Sequence, residues 1–368
     1  MTTGHHHVIE LLCKLIRTPS LSGQENITAN IIADYLHQHG ITTQRYGNNI
    51  VAGNDKDAKG KPVVLLNSHH DTVRPADHWS SDPLVPTIIN GKITGLGSND
   101  AGGALVALIT TYIELHNKDL PFHLILVASA EEENSGHNGI ESVLPHLPEI
   151  YCGIVGEPTL MNAAVAERGL MVLDCVAHGV SGHAARDEGR NAIVEAIDDI
   201  NWFHSFRFPE ISEWLGEVKM TATIINAGTL HNVIPGECRF TVDVRVTDVY
   251  THEEILSTIR ANVKSKVTPR SLRMRSSRIE TEHPLVKAVV ACGKHLYGSP
   301  TSSDQALMNF PTLKTGPGDS ARSHTADEFI YADEIINGIR DYKSILHHLA
   351  DELRTSEPQF KATEIIAS

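Results

Sequence analysis

The order of secondary-structure signals changes once along the chain, and that change limits the fold more than any single motif. Up to Gly169, strand and helix signals alternate. Segments 63–67, 122–129 and 151–155 read as buried strands, while 8–16 and 103–115 carry apolar residues at helical spacing. Such alternation predicts an α/β fold with a mostly parallel mixed sheet flanked by helices. From Gly169 the order becomes strand (170–177), helix (191–206), strand (219–226), strand (237–246), helix (251–263) and strand (271–278). This β-α-β-β-α-β order is the split βαβ unit, a small ferredoxin-like α+β sandwich. The first pattern then resumes with a helix over 283–297, a strand over 312–315 and an amphipathic helix over 332–353. The expectation is a discontinuous catalytic α/β domain, residues 1–168 and 282–368, with an α+β domain, 169–281, inserted into it. Inserted domains place a cleft beside the parent domain.

Composition narrows the function classes. The chain has 368 residues, 31 basic against 45 acidic, a net charge of −14 without a basic cluster. That balance speaks against nucleic acid and anionic membrane surfaces as partners. No apolar run approaches the roughly 18 residues of a membrane span, and the start lacks a signal-peptide core. The five cysteines (Cys13, Cys152, Cys175, Cys238, Cys292) are odd in number and form no CxxC pair. This excludes a disulfide scaffold and a cysteine zinc knuckle, and predicts reduced thiols in a cytoplasmic protein. Histidine is abundant, at 22 residues, but His5 to His7 at the N-terminus carry no expected function.

The chemistry-bearing residues fall just after expected strands. His69, His70 and Asp71 follow the first, Glu131, Glu132 and Glu133 follow the second, and Glu157 follows the third. Asp100 ends a glycine-rich stretch and opens a helix, and His324 lies in a late loop. Ligands of open α/β sheets bind outside the carboxyl ends of strands, so these side chains can share one crevice. Singly, each has an ordinary reading: Asp100 as a helix N-cap, the glutamates as a solvated loop, His324 as an exposed residue. Together they are a concentration of negative charge. Crowded carboxylates raise one another's pKa unless a cation neutralises them. Imidazole with carboxylate suits zinc.

In this order the motifs resemble the co-catalytic zinc amidohydrolases: acetylornithine deacetylase, succinyl-diaminopimelate desuccinylase, aminoacylase and carboxypeptidase G. The resemblance covers nearly the whole chain. "SHHDTV" matches the family's His-x-Asp, which makes His69 a metal ligand and Asp71 its orienting carboxylate; His70 is the alternative register. "GLGSNDAGG" makes Asp100 the bridge between two metals. "SAEEENSG" implies Glu132 as general base and Glu133 as ligand, with Glu131 and Glu132 as the alternative pair. "VGEPT" and "SHTADE" supply Glu157 and His324. One zinc would take His69 and Glu157, the other Glu133 and His324, with Asp100 shared and cobalt able to substitute. Glu132 would take a proton from the attacking water and return it to the leaving amine.

In the inserted domain, "SGHAARDEGRNAI" implies His183 as an oxyanion-steadying residue reaching the other subunit of a homodimer. "NVIPGECRFTVDVR" implies Asn232 and Arg245 as carboxylate-holding residues, a task suited to a guanidinium. Three positions depart from the family pattern: Gly102 for lysine, Glu131 for aspartate, Asp187 for proline. The resemblance is closest to acetylornithine deacetylase. It implies N-acetyl-L-ornithine or N-succinyl-L-ornithine as substrate, in arginine biosynthesis. Succinyl-diaminopimelate, dipeptides and other N-acyl amino acids are alternatives. A succinyl group would call for a further cation, with Arg74, Arg168 and Arg186 as candidates.

Other classes fare worse. Gly95 and Gly97 begin a dinucleotide-type G-x-G-x-x-G, but Asp100 replaces the third glycine and would repel a pyrophosphate. "GDSAR" around Ser320 fails the G-x-S-x-G pattern of serine hydrolases. An inactive metal-stabilised binding module needs no base at Glu132.

Overall fold

The computed structural model describes residues 6–54, 60–186 and 188–364, with side chains through Thr355. His5 and Asp187 lie outside the described residues. The chain divides into two compact units.

The first unit comprises Met1–Val165, Ile279–Tyr297 and Ser303–Ser368. Its main sheet is built from β1 (Thr43–Tyr46), β2 (Asn49–Ala52), β3 (Val63–His69), β6 (His123–Ser129), β7 (Cys152–Val155), β17 (Thr312–Lys314) and β8 (Ala163–Glu167), in the order β1-β2-β6-β3-β7-β17-β8. The inner pairs β6–β3, β3–β7 and β7–β17 are parallel. A parallel sheet is covered on both faces, so its strands read as unbroken apolar runs; β3 is buried at every position. Helix α3 (Gly103–Leu115) is buried along most of its length. The flanking helices also include α1 (His6–Ile16), α2 (Asn26–Gln38), the short α4 (Ile140–Val143), α7 (Pro284–Ala291) and α8 (Ala332–Glu364). Strand register does the functional work. His69 lies beside Ser129, and Asn67 beside Val155. The residues following β3, β6 and β7 therefore leave the sheet together, at the carboxyl ends of its parallel strands. A second, antiparallel sheet of β4 (Thr87–Ile89), β5 (Lys92–Thr94) and β18 (Phe329–Tyr331) carries the segment after His324 to the turn before Asp100.

The second unit comprises Ala166–Arg278 and Gly298–Ser302. Strands β9 (Gly169–His178), β11 (Lys219–Ala227), β13 (Glu237–Val246) and β14 (Lys266–Pro269) form an antiparallel sheet in the order β11-β13-β9-β14. Helices α5 (Ala192–Ser205) and α6 (His252–Asn262) join its core through Ala196, Phe203, Ile255 and Ile259, against Leu173, Phe240 and Val242 of the strands. Asn191 caps α5 and a Thr251–Glu254 capping box opens α6, which fixes where each helix starts. Short strands β10 (Gly182–His183) and β12 (Val233–Ile234) pair with each other, and β15 (Ser277–Arg278) pairs with the end of β8.

Three expected elements differ, the last helix only by running on to Glu364 instead of ending near 353. The last strand of the four-stranded sheet is 266–269 rather than 271–278, where only Ser277–Arg278 are extended, paired with β8. The buried Asp199 carboxylate accepts from the main-chain N–H groups of Lys264 and Ser265, and so starts the strand directly after α6. The expected helix over 283–297 stops at Ala291, because Gly293 turns left-handed (φ +72°) and the chain enters β16 (Leu296–Ser299). Helix α2 and the β1–β2 hairpin were not legible from periodicity. No helix among the described residues is long and apolar enough to cross a membrane.

Candidate metal centre

The centre forms where the strand ends meet. His69 closes β3 and is 1% exposed. Its Nδ1 lies 3.0 Å from the main-chain oxygen of Asp71 and 3.4 Å from the Asp71 carboxylate. Donation from Nδ1 leaves Nε2 facing the carboxylates: Asp100 Oδ1 at 3.3 Å, Glu157 Oε1 at 3.7 Å and Glu132 Oε2 at 4.0 Å. On the other side, His324 Nε2 lies 3.1 Å from Glu133 and 3.5 Å from Asp100 Oδ2. The two oxygens of Asp100 thus face two different histidines. Potential ligand atoms of His69, Glu132 and Glu157, and of His69, Asp100 and Glu133, gather within 4.8 Å.

The local chain explains this arrangement. Glu131 sits at φ +55°, and its carboxylate turns back to accept from the N–H and side-chain amide of Asn138. The next two residues are pinned by Asp71, whose carboxylate oxygens each accept one main-chain N–H, from Glu132 and Glu133, both at 3.1 Å. Ser22 Oγ also donates to Asp71, at 2.7 Å. Asp71 therefore orients the glutamate turn as well as His69. His70 points elsewhere: Nδ1 meets Thr28 Oγ1 at 2.9 Å and Nε2 meets the Asn48 carbonyl at 3.0 Å. Asp100 lies in the turn Ser98–Gly102, extended (φ −113°, ψ 99°) just before α3, rather than capping that helix with its side chain.

Electrostatics show the strain of collecting these groups. Burial pushes Glu157 up to about 8 and Glu132 well above the usual carboxylate range. Burial opposes charge on His69, but its bonds to Asp100 and Asp71 and the nearby glutamates outweigh that and raise its pKa. His324 rises to about 9, chiefly through its bond to Glu133. Burial alone would raise Asp100, yet the His69 contact holds it low. Burial lowers His70 to about 4, as befits a neutral structural imidazole. Two imidazole nitrogens among crowded carboxylates are the donor set of a divalent-metal site.

The structure brings His69, Asp71, Asp100, Glu132, Glu133, Glu157 and His324 together. His183, Asn232 and Arg245 belong to the second unit. There the main-chain N–H of Ala184, next to His183, donates to the Asn232 carbonyl at 3.0 Å. Arg245 donates to Asp243 in bidentate fashion, at 2.8 and 3.0 Å, from the same side of β13. Of the three further arginines, Arg168 is engaged with the carbonyls of Leu215 and Glu217, Arg186 is exposed near Glu188, and Arg74 is exposed.

Sequence reasoning missed two buried carboxylates beside the centre. Asp304 accepts from Ser129 Oγ, and burial raises it to about 6. No motif marked it. Glu328 accepts main-chain N–H groups of the Asp100 turn. It stands inside "SHTADE", four residues after His324, where its spacing offered a signal.

Comparison with known proteins identifies the family of the chain. Residues 65–348 match the model of peptidase family M20/M25/M40. A curated relative, succinyl-diaminopimelate desuccinylase 2 of Ruegeria sp. (strain TM1040), is 24% identical over 277 residues, covering 70% of this chain and 69% of its own. Among solved structures, a tripeptidase of Staphylococcus aureus superposes with a TM-score of 0.76 at 19% identity, covering 95% of this chain and 99% of that one. A dinuclear metal-binding peptidase of Bacillus subtilis from the M20 family gives 0.70 at 15%, covering 95% and 99%. These structures share the fold, and the family match spans most of the chain. The chain is a hydrolase belonging to the M20/M25/M40 peptidase family.

Proposed function

We propose that this hydrolase cleaves the amide bond of an N-acyl L-amino acid with a free carboxylate, using two divalent metals per chain, zinc in the first place and cobalt as a substitute. The observation that carries this is Asp100, whose two oxygens lie 3.3 and 3.5 Å from two separate histidines. In this reading His69 and Glu157 hold one ion, Glu133 and His324 the other, and Asp100 both. When bound, such a pair supplies Lewis acidity to water and to the amide carbonyl. Glu132, left without a ligand role, accepts the proton of the attacking water at its carboxylate and delivers it to the leaving nitrogen. The turned-away Glu131 and the satisfied His70 support this register of base and ligands.

In the second unit, Arg245 and Asn232 hold the substrate carboxylate, with Asp243 releasing or sharing the guanidinium. His183 serves the second copy of a homodimer by donating to the oxyanion. The edge strand β11 supports such a dimer: among the described residues its only sheet neighbour is β13, and Ile224 and Ile225 are each just over half exposed. A cytoplasmic location is part of the proposal, supported by five free cysteines, four of them buried.

N-acetyl-L-ornithine and N-succinyl-L-ornithine are the substrates proposed first. The named activity of the Ruegeria relative favours a second reading, desuccinylation of N-succinyl-diaminopimelate. The test is a hydrolysis screen of these three compounds and several dipeptides, with zinc and with cobalt, repeated on α-amidated counterparts. Metal-dependent release of the amine from one acid, with the amidated form much slower, is the expected result. No turnover with either metal, or equal rates with and without the free carboxylate, would sink the proposal.

A further inference from the structure

Glu328 is 2% exposed, and its carboxylate is committed to the main chain of the Asp100 turn. Oε1 accepts from the N–H groups of Asn99 at 2.8 Å and Asp100 at 2.9 Å. Oε2 accepts from Gly97 N–H at 3.0 Å. The Glu328 carbonyl accepts from Gly95 N–H at 3.0 Å and Ser98 Oγ at 3.3 Å. A further tie runs from the Asn99 side-chain amide to the Asp319 carbonyl at 3.0 Å and Ser323 Oγ at 3.2 Å. Segments 95–100 and 319–328 are therefore laced together on both sides of His324. Burying a carboxylate is costly unless it is well bonded, and one that accepts three N–H groups fixes their directions tightly. The bonded N–H groups include that of Asp100 itself.

Resting on the two-metal reading above, we propose that Glu328 is the positioning residue that presets Asp100 and His324 as a pair, and so sets the affinity of the metal position those two share with Glu133. The other position, held by His69 and Glu157, depends on Glu328 only through Asp100. Loss of the clamp should be asymmetric for that reason. Glutamine keeps one oxygen for Asn99 and Asp100 but turns an NH₂ toward the Gly97 N–H, which is then without an acceptor. Aspartate is one methylene shorter and draws the carboxylate away from all three donors.

The test titrates metal-depleted full-length protein with Co²⁺, reading visible absorption and ions retained after gel filtration, with circular dichroism as a check on folding. Wild type should take up two ions. In Glu328→Gln and Glu328→Asp the first ion should bind as in wild type, and the second about tenfold or more weakly, the usual cost of removing a ligand's supporting partner. Two ions bound with wild-type affinities, or both weakened equally, would overturn the inference while leaving two-metal binding intact. A wild type that takes up fewer than two ions overturns the two-metal reading and this inference with it. Should both variants fail to fold, amide exchange in metal-depleted wild type decides: Gly97, Asn99 and Asp100 should be protected, and rapid exchange there refutes the clamp.

Discussion

Glu132 and Glu133 are neighbours in sequence with the same side chain, yet their surroundings differ. Glu132 faces His69, whereas Glu133 meets His324 at 3.1 Å. Glu132→Ala should lower turnover by roughly 10²–10⁴-fold while metal content stays at the wild-type level. Glu133→Ala should lose bound metal as well. Exchange of these phenotypes, measured by metal analysis beside kinetics, would shift the register. Protons compete for the same ligands. In the metal-free protein Glu157, at about 8, and His324, at about 9, hold protons at neutral pH. Metal must displace them, so apparent metal affinity should rise as pH rises from 6 to 8, with proton release on binding. Calorimetric titration in two buffers of different ionisation heat measures that release; a flat pH profile contradicts it.

Among the elements, parallel pairing of β6, β3 and β7 accounts for the centre, and the open side of β11 accounts for the proposed dimer. An edge strand presents unpaired main-chain groups, and lysine there blocks pairing with another chain. Ile224→Lys combined with Ile225→Lys should convert a dimer to a monomer in sizing experiments, with metal content unchanged. A double variant that still elutes as a dimer would place the interface elsewhere. Legibility also varied by element. The 103–115 helix and the 237–246 strand stand where periodicity placed them, because near-continuous burial of the helix and largely alternating burial along the strand leave strong patterns. The strand expected at 271–278 failed, since a single long-range acceptor, Asp199, set where β14 begins.

For the whole molecule, the proposal that His183 serves the neighbouring subunit has a direct test. Glu132→Ala and His183→Ala should each be nearly inactive alone. Mixed dimers carry one site with both defects and one with neither. Random mixing makes half the dimers mixed, so activity should recover to roughly a quarter of wild type. Co-expression with differently tagged copies, and sizing to verify mixed dimers, makes the measurement. No recovery in verified mixed dimers would place His183 in its own chain's site or remove it from catalysis.

The sequence by itself determined the class of chemistry, because two histidines and several carboxylates after expected strands need a cation wherever the fold lets them meet. It also determined the α/β alternation, since burial on both sheet faces demands long apolar runs. Tertiary structure alone decided which of two adjacent histidines and which of three adjacent glutamates face the centre. The reason is physical: side-chain direction there is set by hydrogen-bond partners outside the motifs themselves, from seven to more than sixty residues away. Thr28 and the Asn48 carbonyl claim His70, Asn138 claims Glu131, and Asp71 holds the amides of Glu132 and Glu133. Asp304 was hidden for the same reason, since a lone carboxylate in a polar loop shows its burial only when the distant segments close over it.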